Sequence, residues 1–358
     1  MKFALSGYWG AGNLGDESIL AGTLAALRRR GVEAAVLSAN LSETKAQHGV
    51  AAYHRYSPKQ MRQALKSAAL LISGGGGLLQ DATSFRSLLY YLFVLRWARR
   101  AGVPTMIFAQ GIGPLKRRLA RILVRREANA ARCITVRDQA SRELLESIGV
   151  QRDIEVTADA SFLLDPAVDS DAARIGEKIG TLRRPLLGVA LRPWGDMAWL
   201  REVSDALGHV SRTLGGTLVF LTFDRTHDTA LSAEMAEDLG GRAVVFSPES
   251  PQEMLAIFGH LDMALAMRLH AAIFAVLTGV PAAVLSYDPK CDSFCREAGL
   301  PDPLSVGLLS SKLLVEGVMS CWESRAQRAA AARSAAAAMR SRAQRNVEAA
   351  LRSGSPAF

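Results

Sequence analysis

Aromatic side chains are scarce in this 358-residue chain, at 6%, and cysteine is scarcer still, at four residues. The aromatics do not interleave with the basic runs, so the stacking platform used for single-stranded nucleic acid is not expected, and neither is a nucleic-acid partner. Cys133, Cys291, Cys295 and Cys321 form no Cys-x-x-Cys pair and have no histidine at zinc-like spacing. They read as reduced, structural thiols of a cytoplasmic protein, and no metal site or cofactor is expected. Long apolar runs are missing too. The longest, Ala271–Ser286, is interrupted by Gly279 and Pro281 and falls short of a membrane span. The opening run Met1–Gly7 is too short for the core of a secretion signal and passes straight into a glycine loop. Neither export by that route nor integration into a membrane is expected.

Positive charge is what the chain has in excess. Lysine and arginine number 43 against 34 acidic residues, a formal net charge of +9. Arginine runs concentrate it: Arg28-Arg29-Arg30, Lys116-Arg117-Arg118, Arg125-Arg126, and a tail from Arg325 to Arg352. Nucleic acid, an anionic membrane surface and an anionic substrate all fit such a balance. Most of these arginines are expected simply to face solvent on helices.

With 49% apolar and 22% charged residues the chain is an ordinary globular one, and its length exceeds what a single core usually supports. Short apolar runs suit strands at Lys2–Ser6, Ala34–Ser38, Ala69–Ser73, Thr105–Ala109, Cys133–Val136 and Glu155–Thr157. The rhythm resumes at Leu186–Leu191, Thr217–Thr222, Ala243–Phe246, Met263–Ala266 and Ala282–Ser286. Amphipathic stretches such as Glu17–Arg30, Ser84–Ala101, Lys116–Ala131 and Gln139–Ile148 lie between. Strand–helix alternation of this kind predicts an α/β fold with parallel sheets, and two such sets predict two Rossmann-like domains. The expected division is residues 1–168, 169–322 and an Arg/Ala-rich helix and tail over 323–358. That last helix lacks a broad apolar stripe and is expected along the surface.

Ligands of open α/β sheets bind beyond the carboxyl ends of the strands. After the first strand comes Gly7-Tyr8-Trp9-Gly10-Ala11-Gly12-Asn13-Leu14-Gly15-Asp16-Glu17. Gly10, Gly12 and Gly15 form a G-x-G-x-x-G, but the acidic residue that should end the next strand is replaced by Ser38-Ala39-Asn40. Asp16 and Glu17 would also repel a pyrophosphate at the helix start, so a nicotinamide site is not expected. The loop, with Asn13, can still bring amides close to a smaller ligand, and Asp16 is either the helix cap or a base. Four glycines including Gly75 and Gly76 follow Ser73 and can form an anion nest. Gln110-Gly111-Ile112-Gly113-Pro114 is another tight turn, followed by Arg117, and Arg137-Asp138 closes the strand Cys133–Val136. Arg137 is read as a ligand contact, the alternative being a salt bridge to Asp138. In the second half Arg268 and His270 directly follow Met263–Ala266, and Lys290 follows Ala282–Ser286. Adjacent strand ends would gather these cations around one pocket.

These blocks together resemble the polysaccharide pyruvyl transferases, especially the bacterial type that decorates the secondary cell-wall polymer holding surface-layer proteins. The matching segments are Gly7–Glu17, Ser73–Asp81, Gln110–Pro114, Val136–Ser141, Thr157–Asp159, Leu191–Trp194, Arg268–Ala271 and Tyr287–Lys290. No single block is decisive; the ordered set is specific. The resemblance implies a GT-B-like fold, two facing Rossmann-like domains with the active site in their cleft. It implies phosphoenolpyruvate as donor and an N-acetylmannosamine residue on a lipid-linked saccharide as acceptor, giving a 4,6-ketal with phosphate released. By the same resemblance His270 is the catalytic acid, and Arg268 and Lys290 hold donor anions.

The residues support such a mechanism. A donor bearing phosphate and carboxylate needs cations and amides, which Arg268, Lys290, Arg137 and Arg117 can supply. His270 is the candidate acid, and Asp16, Asp159 and Asp288 are candidate bases among which the sequence does not choose. The basic surface suggests peripheral contact with the inner face of the cell membrane, through the Arg-rich tail or the Lys116–Arg126 helix. The rival expectation is a nucleotide-sugar glycosyltransferase of the same fold.

Overall fold

The computed structural model describes residues 1–166 and 169–355, so the expected boundary at 168 and the end of the tail lie outside the described residues. Contacts divide the chain into two units: Met1–Leu164 with Met339–Phe358, and Asp165–Ala338.

In the first unit, runs of small and branched apolar residues bounded by glycine or polar caps become strands buried on both faces, as a helix-covered parallel sheet requires. The elements are β1 (Lys2–Ser6), α1 (Leu14–Arg28), β2 (Glu33–Ser38), α2 (Leu41–His48), β3 (Ala51–His54), α3 (Pro58–Leu65) and β4 (Leu70–Gly74). They continue as α4 (Phe85–Arg100), β5 (Thr105–Gln110), α5 (Arg118–Asn129), β6 (Cys133–Val136), α6 (Gln139–Ser147) and β7 (Ile154–Val156). The strand order is β3-β2-β1-β4-β5-β6-β7, and every pairing is parallel. The order reverses between β1 and β4, and there the crevice for a ligand opens. β3 was absent from the strands expected above. It is four residues long, lies on the edge, and is buried at only Ala52, so its pattern carries no apolar run.

Helices α3, α4 and α5 cover one face of this sheet. Met61 and Leu65 of α3 pack with Val94 and Leu95 of α4 over Ala4, Ala35 and Leu71. Leu88 and Tyr91 of α4 pack with Ala120 and Val124 of α5 over Ile107 and Ile134. Each leucine, isoleucine, valine or methionine among them contributes about 2 kcal/mol on burial.

The second unit repeats the plan with α7 (Asp169–Ile179), β8 (Leu186–Ala190), α8 (Leu200–Leu214), β9 (Thr217–Leu221), α9 (Arg225–Asp238), β10 (Ala243–Phe246) and α10 (Pro251–His260). β11 (Met263–Ala266), α11 (Leu269–Thr278), β12 (Ala282–Ser286), α12 (Pro289–Ala298), β13 (Leu304–Ser305) and α13 (Ser311–Glu323) complete it. Its sheet runs β10-β9-β8-β11-β12-β13, again parallel, with the reversal between β8 and β11. Cap-then-proline starts recur where direction must be exact: Ser57-Pro58, Ser250-Pro251 and Asp288-Pro289, each with the cap oxygen accepting a backbone N–H. The core is built on Val189, Leu207, Phe220 and Leu265.

Helix α14 (Arg325–Gly354) differs from its expectation. It is a helix, but its second half is not a surface ornament. Met339, Ala343, Val347 and Ala350 are at most 4% exposed and make a narrow stripe at helical spacing, built of residues too small to register as apolar in sequence. Asn346, fully buried, accepts a hydrogen bond from the Thr157 hydroxyl at 2.7 Å and donates to the Ala158 carbonyl at 3.0 Å. The Gly354 backbone lies so near Phe3 that an added Cβ would come within 2.4 Å of the ring.

Candidate active site

Asn13 begins the crevice of the first unit. Its Oδ1 accepts from the N–H groups of Gly15 and Asp16, at 3.0 and 3.3 Å, and so caps α1. The expectation that Asp16 could be the cap is corrected: the helix starts earlier, and Asn13 is the cap. Glu17 does not repel an incoming anion either. It is buried, accepts the Gly10 N–H at 2.7 Å, and meets His48 Nε2 at 3.0 Å.

Two glycine turns bring the next residues close. Gly75 and Gly76 have φ of +76° and +65°, a region only glycine adopts freely. A Cβ on Gly76 would stand 2.6 Å from Asp16 Oδ1. Gly111 N–H donates to Gly76 O at 2.9 Å, and a Cβ on Gly111 would stand 2.6 Å from the Arg137 guanidinium. Arg137 Nη1 donates to Asp159 Oδ2 at 3.0 Å, and its Nε lies 3.6 Å from Asp138. Burial works against the charge of Arg137, but the carboxylates of Asp159, Asp138 and Asp16 outweigh it and push the guanidinium pKa up. The structure thus gathers Asp16, Gly76, Gly111, Arg137 and Asp159 along the carboxyl edge. Arg137 pairs with Asp159 more closely than with Asp138, the partner weighed from sequence.

Arg117 belongs elsewhere. Its guanidinium lies over Phe85 at 5.0 Å and 3.8 Å from Asp81, with over half the side chain exposed. Asp81 accepts the backbone N–H groups of Lys116 and Arg117 at 2.6 and 2.8 Å. Burial raises its pKa, but those two hydrogen bonds and the Arg117 charge prevail and hold it below the usual carboxylate range.

The crevice of the second unit is the more cationic. Arg268 ends β11, with its guanidinium held by the fully buried Asp228 of α9, while its Nε has no hydrogen-bond partner. Asp228 also accepts the N–H groups of Phe223 and Asp224, at 3.1 and 2.9 Å. His270 sits half-buried in the first turn of α11. Lys290, in the first turn of α12, lies 3.5 Å from Asp288 and 5.2 Å from the Tyr287 ring. Facing the same ring, at 4.8 Å, is Arg192 from the end of β8. Its Nη1 donates to Tyr287 Oη at 2.8 Å, its Nε is buried without a partner, and Trp194 flanks it at 5.8 Å. Arg192 was quoted in the sequence but given no role. The rule that flagged Arg137, a cation closing a strand, applies equally to it. Asp228 sends no such signal, because it lies inside a helix and meets Arg268 only through folding.

The cysteines stand apart from this chemistry. All four are free, and burial pushes Cys291 and Cys321 to about 11 and Cys295 to about 12, away from thiolate reactivity.

Two parallel-sheet α/β units with crevices at their strand-order reversals, followed by a helical extension, define the GT-B-like class. Solved structures of that class match across the whole chain. A UDP-GlcNAc 2-epimerase from Neisseria meningitidis bound to UDP-GlcNAc shares 11% identity with a TM-score of 0.65, over 98% of this chain and 100% of that one. Anabaena HepE in complex with UDP-glucose shares 17% at 0.64, over 99% and 100%. Phytolacca americana UGT2, complexed with UDP-2fluoro-glucose and pterostilbene, shares 11% at 0.59, over 99% and 100%. No curated protein matches the sequence. The family model of the polysaccharide pyruvyl transferases does match, over residues 13–289, and the chain belongs to that family.

Proposed function

We propose that the protein transfers the pyruvyl group of phosphoenolpyruvate to a saccharide, forming a 4,6-ketal and releasing phosphate. The observation that carries this reading is the set of cations that follow the neighbouring strands β8, β11 and β12, with His270 opening the helix after β11. Arg192 and Lys290 on either side of Tyr287 suit the donor phosphate and carboxylate, and Arg268 adds its unpartnered Nε. The donor's negative charge favours a protonated imidazole at His270. That proton adds to the donor methylene carbon, making the neighbouring carbon electrophilic. One sugar hydroxyl adds there, and its proton restores the acid. The second hydroxyl displaces phosphate, its proton leaving with the phosphate or through a base. Asp16, Asp159 and Asp288 are the candidate bases, and Arg137 with Gly75 and Gly76 offers a further anion contact. N-acetylmannosamine on a lipid-linked precursor of the polymer that anchors surface-layer proteins is the proposed acceptor. No resident metal is invoked; activity lost to a chelator and restored by a divalent ion would overturn that.

The test is phosphate release from phosphoenolpyruvate, with and without an N-acetylmannosamine-containing acceptor. Acceptor-dependent release by the wild type, lost in His270→Ala, supports the reading. The UDP named with the structural neighbours favours a second one, a nucleotide-sugar glycosyltransferase. No phosphate release, together with thermal stabilisation by UDP, would establish that alternative.

A cytoplasmic enzyme acting on a lipid-linked acceptor would meet the inner membrane face, and the α3–α5 surface suits that contact. Among the described residues no helix is long and apolar enough to cross a membrane. Helices α3 and α4 contain no carboxylate, and the only one in α5, Glu127, is buried against Arg99. Leu89, Phe93, Leu119 and Ile122 are exposed. A groove of about 1200 Å³ beside Phe93 and Trp97 is lined by Lys59, Arg62, Lys66, Arg96 and Arg100. Each cation near an anionic bilayer adds about 1 kcal/mol of attraction. Cosedimentation with phosphatidylserine vesicles that falls with salt, and falls again in Phe93→Asp/Ile122→Asp, is the expected result. Binding indifferent to anionic lipid would remove the proposal.

A further inference from the structure

Arg55 differs from the arginines that buried carboxylates hold. Arg99, Arg137 and Arg268 are each held by a buried carboxylate, Glu127, Asp159 and Asp228 in turn. Arg55, just past the carboxyl end of β3, makes no ion pair with any described carboxylate. Its Nε and Nη1 are buried and have no hydrogen-bond partner. An unpaired guanidinium away from water carries a desolvation penalty that neighbouring groups must offset.

The neighbours here are tyrosines. The guanidinium lies 4.8 Å from the Tyr56 ring and 5.4 Å from the Tyr8 ring, both within cation–π range. Tyr90 packs edge-on against Tyr56 at 5.1 Å, Tyr91 follows against Tyr90 at 5.1 Å, and the Tyr90 hydroxyl donates to Arg55 O at 2.9 Å. Four of the six tyrosines in the chain therefore stand around or behind this one cation. Tyr90, half-buried, and Tyr91, buried, form the wall behind it. Tyr8 and Tyr56 are 39% and 60% exposed, so the side of the cage they form faces solvent. Tyr8 comes from the glycine loop after β1 that also carries Asn13, so the cage borders the first crevice.

Aromatic faces open to solvent suit the apolar face of a sugar ring, and an arginine fork suits a phosphoryl group. We propose that Arg55, Tyr8 and Tyr56 form a subsite for a saccharide bearing a phosphate or diphosphate at its reducing end. The phosphoryl oxygens take the Arg55 donors as the exposed tyrosines give way, and the sugar packs on their rings. This subsite rests on the reading of the acceptor as a saccharide and is separate from the donor cations at Arg192 and Lys290.

Calorimetric titration needs no turnover and so tests it apart from pyruvyl transfer. The probes are N-acetylmannosamine, its 1-phosphate, and the same sugar on a short-chain prenyl diphosphate. The wild type is expected to bind the phosphorylated probes at least tenfold tighter than the free sugar. Arg55→Gln should lose that preference while keeping its melting temperature and its affinity for phosphoenolpyruvate. Tightening by the 1-phosphate points to sugar phosphates in general, and tightening by the diphosphate alone points to the lipid-linked form. Equal binding of all probes by the wild type, or an undiminished preference in Arg55→Gln, overturns the subsite. If Arg55→Gln does not fold, Tyr56→Ala at its exposed position takes its place: weaker binding of every sugar probe supports the subsite and unchanged binding refutes it. Loss of the phosphate preference in Arg55→Gln, with a wild type that fails to release phosphate from phosphoenolpyruvate, would refute the transfer reaction and leave the subsite standing.

Discussion

Arg192 shows what one side chain can add at the end of a strand. If it holds the donor with Lys290, Arg192→Ala should raise KM for phosphoenolpyruvate by about 10- to 100-fold, the worth of a charged hydrogen bond, with a smaller effect on kcat. Steady-state kinetics would decide, and an unchanged KM would remove Arg192 from the donor site. Asp81 makes a different prediction, on stability. Its folded pKa lies below the unfolded value of about 3.9, so the native state favours the ionised form. The resulting stability is complete above about pH 4 and is lost as pH falls through the folded pKa. Asp81→Asn should therefore cost about 2 kcal/mol at pH 7, and its deficit against wild type should shrink on acidification, as read by urea unfolding. Single residues were legible where local sequence placed them. His270, Lys290, Arg268 and Arg137 stand out in the sequence as candidates because each follows an apolar run. The pairings of Arg268 with Asp228 and of Arg137 with Asp159 do not, since each joins residues distant in sequence, and Arg55 follows a strand too short and too exposed to be read.

Elements were easier to read than partners, because a strand buried on both faces writes its burial directly into sequence as an unbroken apolar run. The edge strand Ala51–His54 and the two-residue β13 have no such run and escaped notice. The turns joining the elements impose their own constraint. Gly111 leaves the space that the Arg137 guanidinium occupies. Gly111→Ala should push Arg137 from Asp159, cost about 2 kcal/mol of stability, and lower any phosphate-release activity. Thermal melts together with kinetics would check this, and a variant indistinguishable from wild type in both would show that Arg137 can move freely.

For the whole molecule, the α/β class and the two-part plan were legible, while the way the chain returns to its first unit was not. Alanine carries little hydropathy, so the stripe Met339-Ala343-Val347-Ala350 resembles a solvated helix until the sheet it covers is seen. Asn346→Leu should cost about 2 kcal/mol by leaving the Ala158 carbonyl without its Asn346 donor, the Thr157 hydroxyl still donating to Val136 O, and denaturant unfolding would measure it. A loss below about 0.5 kcal/mol, the level of an ordinary surface substitution, would show that the helix end contributes little to the first unit. That return also sets an order of events during synthesis. A ribosome adds roughly 5–20 residues per second and domains ordinarily fold as they emerge. The amino-terminal unit of this protein completes its contacts only later, because residues 339–355 are made after the entire second unit. A message cut short upstream of residue 339 would yield a first unit without the buried stripe Met339-Ala343-Val347-Ala350. Such a product would be open to chaperones and proteases, so the returning helix ties the completion of the first unit to the synthesis of the second.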